Sequence, residues 1–346
     1  MTDSESDRST RERRRLVPIP MLTGVLAVIG AVVLALLLSG CQSRSAGPGP
    51  GHYRVTATVP AKGPFGVAVD PGTHTVYVAN YGDKTVSVID ASTRAVTSTV
   101  PVGKTPNGVE NPIGMAVDPG SHTVYVTNYA DTVSTIDAST RTVTAAVPVG
   151  TFPWGVAVDG ASQTVYVSSH FTNTVSVIDA STRAVVATVP VGQDPDGVAV
   201  DPGTHTVYVA NDRDNTVSVV DASTRAVIAT VPVGKGPVGV AVDPGTHIVY
   251  VANNGDNTLS VVDASTRAVA ATVPVGKSPD GVAVDPGTHI VYATNNGDNT
   301  LSVVDPSTRT VTAAVPVATG PYAVAVDPGT HTVYVAANAL SVVESR

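Results

Sequence analysis

The chain has 346 residues, a formal net charge of −8 at pH 7 and a single cysteine, Cys41. A nucleic-acid partner is not expected, because an acidic chain lacks the basic surface that phosphate binding requires. A lone cysteine also excludes an internal disulfide, so packing and hydrogen bonds must stabilise the fold.

The first predicted element is an export signal in residues 1–41. Five arginines precede residue 16, whereas Leu16 to Ser39 contains no charged residue. A basic stretch followed by an apolar stretch is typical of a secretion signal. The sequence Leu38-Ser39-Gly40-Cys41 resembles a bacterial lipobox, so we predict lipidation at Cys41. An uncleaved membrane anchor is the alternative, because an uncharged stretch of this length also spans a bilayer.

Either attachment places the following domain outside the cytoplasmic membrane, because the arginines before the apolar stretch stay in the cytoplasm. Residues 42–51, QSRSAGPGPG, are predicted to form a Gly/Pro/Ser linker. Residues 52–346 are predicted to form one domain. We therefore expect a monomeric cell-surface protein that is tethered to the membrane by its N-terminus.

The domain consists of copies of one unit. A segment of the type Gly-Val-Ala-Val-Asp recurs seven times, at intervals of about 42 residues. In residues 239–276 three turn-rich clusters separate four Val-rich stretches, which we predict as strands A to D: Gly239–Val242, Ile248–Ala252, Thr258–Val262 and Ala268–Val275. A four-stranded antiparallel unit at this period is typical of a β-propeller blade.

The two ends of the repeat region predict a closed propeller. The seventh repeat ends after its strand C, near Val343, whereas Tyr53 to Pro60, YRVTATVP, matches strand D but precedes the first strand A. The N-terminal strand can therefore complete the last blade. Because closure removes the exposed sheet edges, we predict an all-β, seven-bladed β-propeller with four antiparallel strands per blade.

The repeat sequence resembles a known family. The segments TVYVAN, TVYVTN and IVYATNN, followed by TVSVID or TLSVVD and by TVPVG, are similar to the YVTN-type β-propeller repeat. The resemblance covers Tyr53 to Arg346 and implies a seven-bladed fold. That family contains exported and surface-layer proteins of mostly unassigned role, and lactonases and an antibiotic-linearising lyase have similar folds. A shared fold transfers no activity by itself.

Residues that occur in nearly every repeat are interpreted as architecture. Six histidines share one position in the turn between strands A and B, and the Asp that ends strand C is followed four residues later by Arg. A catalytic role would require six equivalent sites. We therefore expect the histidines to shape the turn, and the Asp and Arg to cap their hairpin or pair with each other.

The repeats differ mainly in the D–A and B–C loops, which share one face of a propeller around its central channel. We name it the mouth face. Its aromatic residues fall on blades seven, one, two and three, whereas blades four to six carry aspartates such as Asp196 and Asp280. This pattern predicts an aromatic half and an acidic half. The candidate ligand-binding residues are Phe65, Tyr81, Tyr129, Phe152, Trp154, His170, Phe171 and Tyr322.

Two further residues suggest acid–base chemistry. Glu110 lies in a six-residue insertion, and His170 is a histidine outside the repeat position. If both reach the mouth beside Trp154, they can act as an acid–base pair. Ordinary variation of exposed loops is the alternative. No calcium loop, zinc-ligand set, phosphate-binding glycine loop or nucleophile elbow is recognisable, so no metal or cofactor is expected.

Two functions follow from these patterns. The first is a surface-tethered, non-enzymatic binding module or scaffold whose ligand, a protein, peptide or glycan, binds the mouth face. The alternative is a lyase or lactone hydrolase that uses Glu110 and His170. An approach of those two side chains to within about 4 Å would favour the enzyme.

Overall fold

A computed structural model describes residues 52–105, 108–109 and 111–345 of the chain. These residues form seven four-stranded antiparallel sheets and one two-stranded hairpin, and none of them is helical. The predicted seven-bladed propeller is therefore confirmed. The export signal, the linker, Cys41 and Glu110 lie outside the described residues. Within the described part of the chain there is no helix long and apolar enough to cross a membrane.

The strand bounds follow the repeat closely. The first described strand, β1 (Arg54–Val59), belongs to blade seven. The other strands, in chain order, are β2 (Pro64–Asp70), β3 (Thr75–Asn80), β4 (Thr85–Asp90), β5 (Ala95–Pro101), β6 (Lys104–Thr105), β7 (Gly108–Val109), β8 (Pro112–Asp118), β9 (Thr123–Asn128), β10 (Thr132–Asp137), β11 (Thr142–Pro148), β12 (Pro153–Asp159), β13 (Thr164–Ser169), β14 (Thr174–Asp179), β15 (Ala184–Pro190), β16 (Pro195–Asp201), β17 (Thr206–Asn211), β18 (Thr216–Asp221), β19 (Ala226–Pro232), β20 (Pro237–Asp243), β21 (Ile248–Asn253), β22 (Thr258–Asp263), β23 (Ala268–Pro274), β24 (Pro279–Val284), β25 (Val291–Asn295), β26 (Thr300–Asp305), β27 (Thr310–Pro316), β28 (Ala323–Asp327), β29 (Thr332–Ala336) and β30 (Leu340–Glu344).

The N-terminal strand closes the propeller as predicted. In blade seven the strand order is β1-β30-β29-β28, and β1 pairs antiparallel with β30 from Arg54 opposite Glu344 to Val59 opposite Leu340. Blade one reinforces this closure, because Arg94 Nη2 lies 2.6 Å from Glu344 Oε1. Both ends of the domain are thus held in one sheet.

The core is divided among the junctions between blades. Seven apolar clusters occur in the described residues, and each joins one blade to the next. Between blades seven and one, for example, Val67 and Val76 pack with Tyr334 and Leu340. Each sheet is thus buried on both faces, which explains why valine recurs at both strand parities. Only the outermost strand D of each blade is largely exposed.

The innermost strand A lines the channel and begins with a β-bulge in blades one to six. In β20, Pro237 pairs with Asn253 and Val240 pairs with Val251, so the two intervening residues oppose a single partner. A bulge turns a side chain away from the regular pleat. The bulge requires glycine, because a Cβ atom on Gly239 would clash with the carbonyl oxygen of Asp280 on the next blade.

On the face opposite the mouth, the repeated histidines join neighbouring blades. In each case Nδ1 lies 2.6 to 3.2 Å from the carboxylate that ends strand A of the preceding blade. The architectural interpretation is correct, but the contact crosses between blades and is more than a local turn. Blade three has Gln163 at this position, so Asp118 of blade two lacks a histidine partner among the described residues. The pairs are His74–Asp327, His122–Asp70, His205–Asp159, His247–Asp201, His289–Asp243 and His331–Asp285.

The predicted cap at the end of strand C is confirmed, whereas pairing of its Asp with the following Arg is wrong. Asp221 accepts hydrogen bonds from the backbone N–H groups of Ser223 and Thr224 at 2.9 and 2.8 Å. Arg225 turns away and donates to the carbonyl oxygen of Val186 on the preceding blade, at 3.4 Å. The arginine is free to do so because the turn N–H groups already satisfy the carboxylate.

Candidate functional site

The aromatic side chains predicted at the mouth form one connected cluster, which we name the aromatic belt. Phe65 stacks on Tyr322 with ring centroids 4.5 Å apart and meets Trp154 edge to face at 5.4 Å. Trp154 continues to Phe152 at 5.5 Å. Further contacts from Phe65 and Phe152 complete the belt, whose members are Phe65, Tyr81, Tyr129, Phe152, Trp154, Phe171 and Tyr322.

The belt joins residues of blades that are not neighbours in the propeller, because Phe65 contacts Trp154 directly. Phe65 belongs to blade one and Trp154 to blade three, and the corresponding residue of blade two, Ile113, is only 2% exposed. At the edges of the belt Tyr129, Phe171 and Tyr322 remain exposed to solvent. The belt therefore combines a packed centre with a free apolar surface, as recognition sites do.

Phe152 occupies a left-handed backbone position that is glycine in three other blades, whereas blades four and six have Asp194 and Ser278 there, with φ of 51° and 49°. Its φ is 59°, and the equivalent residues Gly236 and Gly320 have φ of 60° and 69°. A bulky side chain rarely adopts this left-handed conformation, because the Cβ atom approaches the following carbonyl oxygen. The same conformation recurs at other bulky residues in the repeated turns, for example His74 and Arg94, with φ of 50° and 58°. The strained backbone places the Phe152 ring between Tyr129 and Phe171.

Hydroxyl side chains fix the backbone of three mouth residues. Thr127 Oγ1 donates to the carbonyl oxygen of Trp154 at 2.9 Å, and Thr294 Oγ1 donates to that of Tyr322 at 3.1 Å. Ser168 Oγ donates in the same way to Asp196. The other four blades have alanine at this position of strand B, namely Ala79, Ala210, Ala252 and Ala336. These contacts were not predicted, although the replacement of Ala by Thr or Ser at this strand B position is visible in the sequence.

Beneath the belt lies a cavity of about 190 Å³ at the centre of the propeller, lined by the strand A regions of all seven blades. Phe65, Trp154 and Tyr322 line it together with Asp280, and the remaining lining is glycine, alanine, valine, isoleucine and methionine. The predicted division into an aromatic and an acidic half is therefore incomplete, since one aspartate shares the cavity with three aromatic side chains.

Asp280 is an unusual carboxyl group. Burial, together with the negative charge of Asp196, raises its pKa to about 7. No hydrogen bond from any described residue reaches its side chain. The carboxyl group thus changes its charge near neutral pH inside an otherwise apolar cavity.

His170 forms a hydrogen bond with Asp196, a pairing that was not predicted from the sequence. Its Nδ1 lies 2.8 Å from Oδ1 of Asp196, and its Nε2 lies 4.0 Å from Asp194. The hydrogen bond to Asp196 raises the pKa of His170, while burial raises the pKa of Asp196. Glu110 lies outside the described residues, so its approach to His170 stays a prediction. The His170–Asp196 pair was indicated in the sequence only by position. Both residues depart from the repeat, and they lie in loops of neighbouring blades.

These groups define what the mouth can do chemically. It offers aromatic contact area, the half-buried carboxyl group of Asp280 and an imidazole paired with the buried carboxylate of Asp196. Among the residues that the structure describes, no three His, Cys, Asp or Glu side chains converge as metal ligands.

Comparisons with known proteins agree with the fold. Residues 245–345, from β21 to the end of β30, match the family model described as YNCE-like beta-propeller. Among solved structures, a chain of Kuenenia stuttgartiensis hydrazine synthase is 22% identical, with a TM-score of 0.71, and the match covers 83% of this chain and 97% of that one. A chain of a mitotic checkpoint complex is 16% identical, with a TM-score of 0.76 and coverages of 91% and 99%. None of the curated proteins matches the chain. At these identities the solved structures show a common β-propeller fold, and the last part of the chain is similar to YNCE-like propellers.

Proposed function

We propose that the protein is a non-enzymatic binding module, tethered outside the cytoplasmic membrane by its N-terminus, that holds its ligand at the mouth face. The observation that carries the proposal is the aromatic belt. Seven aromatic residues that are not part of the repeat contact one another on one face, around a cavity. A propeller of near-identical copies has no structural need for such a cluster.

The energetics of the belt support a binding role. Aromatic side chains give a large contact area for little loss of conformational entropy, and Trp and Tyr are frequent among residues that dominate binding energy. Phe152 adds to this contact area, because its ring centroid lies 5.5 Å from that of Trp154. A ligand that contacts both rings would bury them together.

The tether and the family belong to the same proposal. We infer that residues 1–41 export the chain, that Cys41 carries the lipid, and that the propeller is a monomeric member of the YVTN-type family with a protein, peptide or glycan ligand. Loss of fatty-acid label in a Cys41→Ser variant is the result expected of a lipid anchor. Equal label in the variant and the wild type would leave a membrane-spanning anchor instead.

The binding role is tested through Trp154, the single tryptophan of the chain. Its intrinsic fluorescence reports on the mouth face, so libraries of peptides, glycans and small molecules can be screened on the full chain by the shift of that fluorescence. For any ligand found, Trp154→Ala should weaken binding by at least about tenfold, which is about 1.4 kcal/mol, when measured by calorimetry. The control is Val186→Ala on the exposed outer strand. Unchanged affinity together with a large loss of stability would show that Trp154 serves packing alone.

One observation favours the enzymatic alternative. The His170–Asp196 hydrogen bond leaves the imidazole protonated to higher pH than usual, as a general acid requires. A lyase or lactone hydrolase that uses this pair should turn over a lactone panel with a pH profile that follows His170. His170→Asn should abolish that turnover, whereas Trp154→Phe should reduce it only in part. A panel without turnover would leave the binding role.

A further inference from the structure

We propose that the ligand of the mouth face carries an organic ammonium group, which the central cavity receives between the aromatic side chains of Phe65, Trp154 and Tyr322 and the carboxylate of Asp280. This inference rests on the binding function proposed above and specifies the chemical class of the ligand. The carrying observation is the shared cavity, in which three aromatic residues and a single charged residue line the same space.

The carboxylate has no counter-charge within the cavity. Among the described lining residues Asp280 alone is ionisable apart from Tyr322, and neither lysine nor arginine lines the cavity. A charge in apolar surroundings is costly unless it is paired. Because Asp280 is half-buried and no cationic side chain lines the cavity, a cationic ligand would gain a charge partner there.

The aromatic lining favours the same kind of ligand. The faces of Trp, Tyr and Phe rings attract cations, and recognition of quaternary ammonium groups by aromatic cages is the best-known use of this attraction. Phe65 contacts both Trp154 and Tyr322 at 5.4 and 4.5 Å between ring centroids, so the three rings form one wall of the cavity. An ammonium group at this wall gains aromatic and carboxylate contacts together.

The charged residues around the cavity do not reverse its preference for a cationic ligand. On the strands next to β24, the mouth positions are Val238 of β20 and Tyr322 before β28. The charge that acts most on Asp280 is that of Asp196 on β16, which adds negative potential. His170 faces Asp196 and is already bonded to it.

Size and ligand chemistry separate an organic cation from a metal ion. A cavity of about 150 Å³ accommodates benzene, so the cavity of about 190 Å³ suits a molecule of similar or slightly larger size. Calcium or magnesium ions need six or more oxygen ligands, most of which an apolar lining cannot provide. A small molecule with an ammonium head and an apolar body meets both conditions.

The experiment compares choline with its uncharged isostere 3,3-dimethylbutan-1-ol on the full chain at pH 8 and constant ionic strength, monitored by Trp154 fluorescence. Choline should bind at least about tenfold more tightly than the alcohol. Asp280→Asn should remove this preference and leave the affinity for the alcohol within about twofold. Asp83→Asn is the matched control, because Asp83 is a carboxylate of blade one, ion-paired with Lys62 and absent from the cavity lining, and it should keep the preference.

A second arm uses the wild type alone and needs no variant to fold. The charge of choline does not change with pH, whereas Asp280, with a pKa of about 7, loses its proton between pH 6 and pH 8. The affinity for choline should therefore rise over this interval, while that for the alcohol should stay constant. Equal affinities for the two probes at pH 8, a flat choline profile, or binding of neither probe would overturn the inference. The binding function would still stand if a neutral ligand from the screen bound in a manner sensitive to Trp154→Ala, and would fall if no ligand did.

Discussion

The two faces of the propeller use the same repeat in opposite ways. On the face opposite the mouth, repeated histidines and arginines join each blade to the one before it, as in the His247–Asp201 pair at 2.6 Å. On the mouth face, the important side chains are those that depart from the repeat, such as Trp154 and Phe152. The comparison teaches that in this chain the regular positions join the blades into a closed fold, while the irregular positions form the aromatic belt.

Carboxylates show the same contrast. At the strand C turns, hydrogen bonds from Ser92 and Thr93 lower the pKa of Asp90 to about 2. At the mouth, burial raises the pKa of Asp280 to about 7. The residue type is the same, but a turn surrounds the carboxylate with hydrogen-bond donors, whereas the channel shields the carboxylate of Asp280 from part of its water. Hydrogen bonding thus favours the ionised form on one face, and desolvation opposes it on the other.

The largest effect is expected from opening the propeller, which should disrupt both faces together. Deletion of residues 52–60 removes β1, leaves β30 as an exposed edge and removes the contact of Tyr53 with Tyr292 of blade six, at 5.9 Å between ring centroids. Exposed edges pair with other chains, so we expect aggregation and loss of the cooperative thermal transition. Gel filtration and thermal denaturation measure this, with deletion of residues 42–51 as the control. A monomer with an unchanged midpoint would contradict the closure.

The next effect concerns the stability cost of Asp280. Because its pKa rises from 3.8 in the unfolded chain to about 7 in the fold, its contribution to stability is full below about pH 4 and is lost as the pH rises through 7. Asn cannot ionise, so Asp280→Asn should increase the free energy of unfolding at pH 8 by roughly 2–4 kcal/mol and leave it unchanged at pH 4. Urea unfolding at both pH values tests this, with exposed Asp83→Asn as the control. A variant equally stable to wild type at pH 8 would show that the carboxylate is well solvated.

Sequence reasoning was sufficient for the fold because each unit contains its own local signals. Strand B of the fifth repeat was predicted as Ile248–Ala252 and is observed as Ile248–Asn253. The position of the closing strand followed from the missing strand D. These features depend on turn residues and on the alternation of residue types, both of which are determined by residues close together in the sequence.

The interior of the mouth could be predicted only in part. The aromatic residues were found because they break the repeat, but their partners depend on distances between blades. His170 pairs with Asp196 of the next blade, and Asp280 shares a cavity with Phe65, which lies far away in sequence. The β-bulge at Pro-X-Gly near the start of strand A was not predicted, because the direction in which it turns a side chain is a property of the assembled sheet.

A smaller effect is expected where the mouth face carries strain. Phe152→Gly should change the free energy of unfolding by less than about 1 kcal/mol, because relief of the left-handed backbone offsets the lost ring contacts. The matched control is Gly320→Ala, at a φ of 69° with no atom within 4 Å of the added Cβ, which should cost about 1 kcal/mol from strain alone. Chemical denaturation compares the two. If Phe152→Gly instead destabilises by several kcal/mol, Phe152 is a packing residue and its conformation needs no functional explanation.

The smallest effect lies at the junction of blades two and three, where the opposite face lacks its histidine link. Gln163→His places an imidazole where six other blades have one, facing Asp118, which is 1% exposed. The gain should be only about 0.5–1 kcal/mol, since Asp118 already accepts hydrogen bonds from Gly120 N at 3.0 Å and Ser121 Oγ at 2.6 Å. The reverse change, His247→Gln, should cost somewhat more, because it removes an established partner from the buried carboxylate of Asp201. The urea midpoints of both variants measure the contribution of the His–Asp pair, once where it is added and once where it is removed. If neither variant shifts the midpoint, the histidines shape their turns alone, and the stability of this face must come from the apolar clusters between blades.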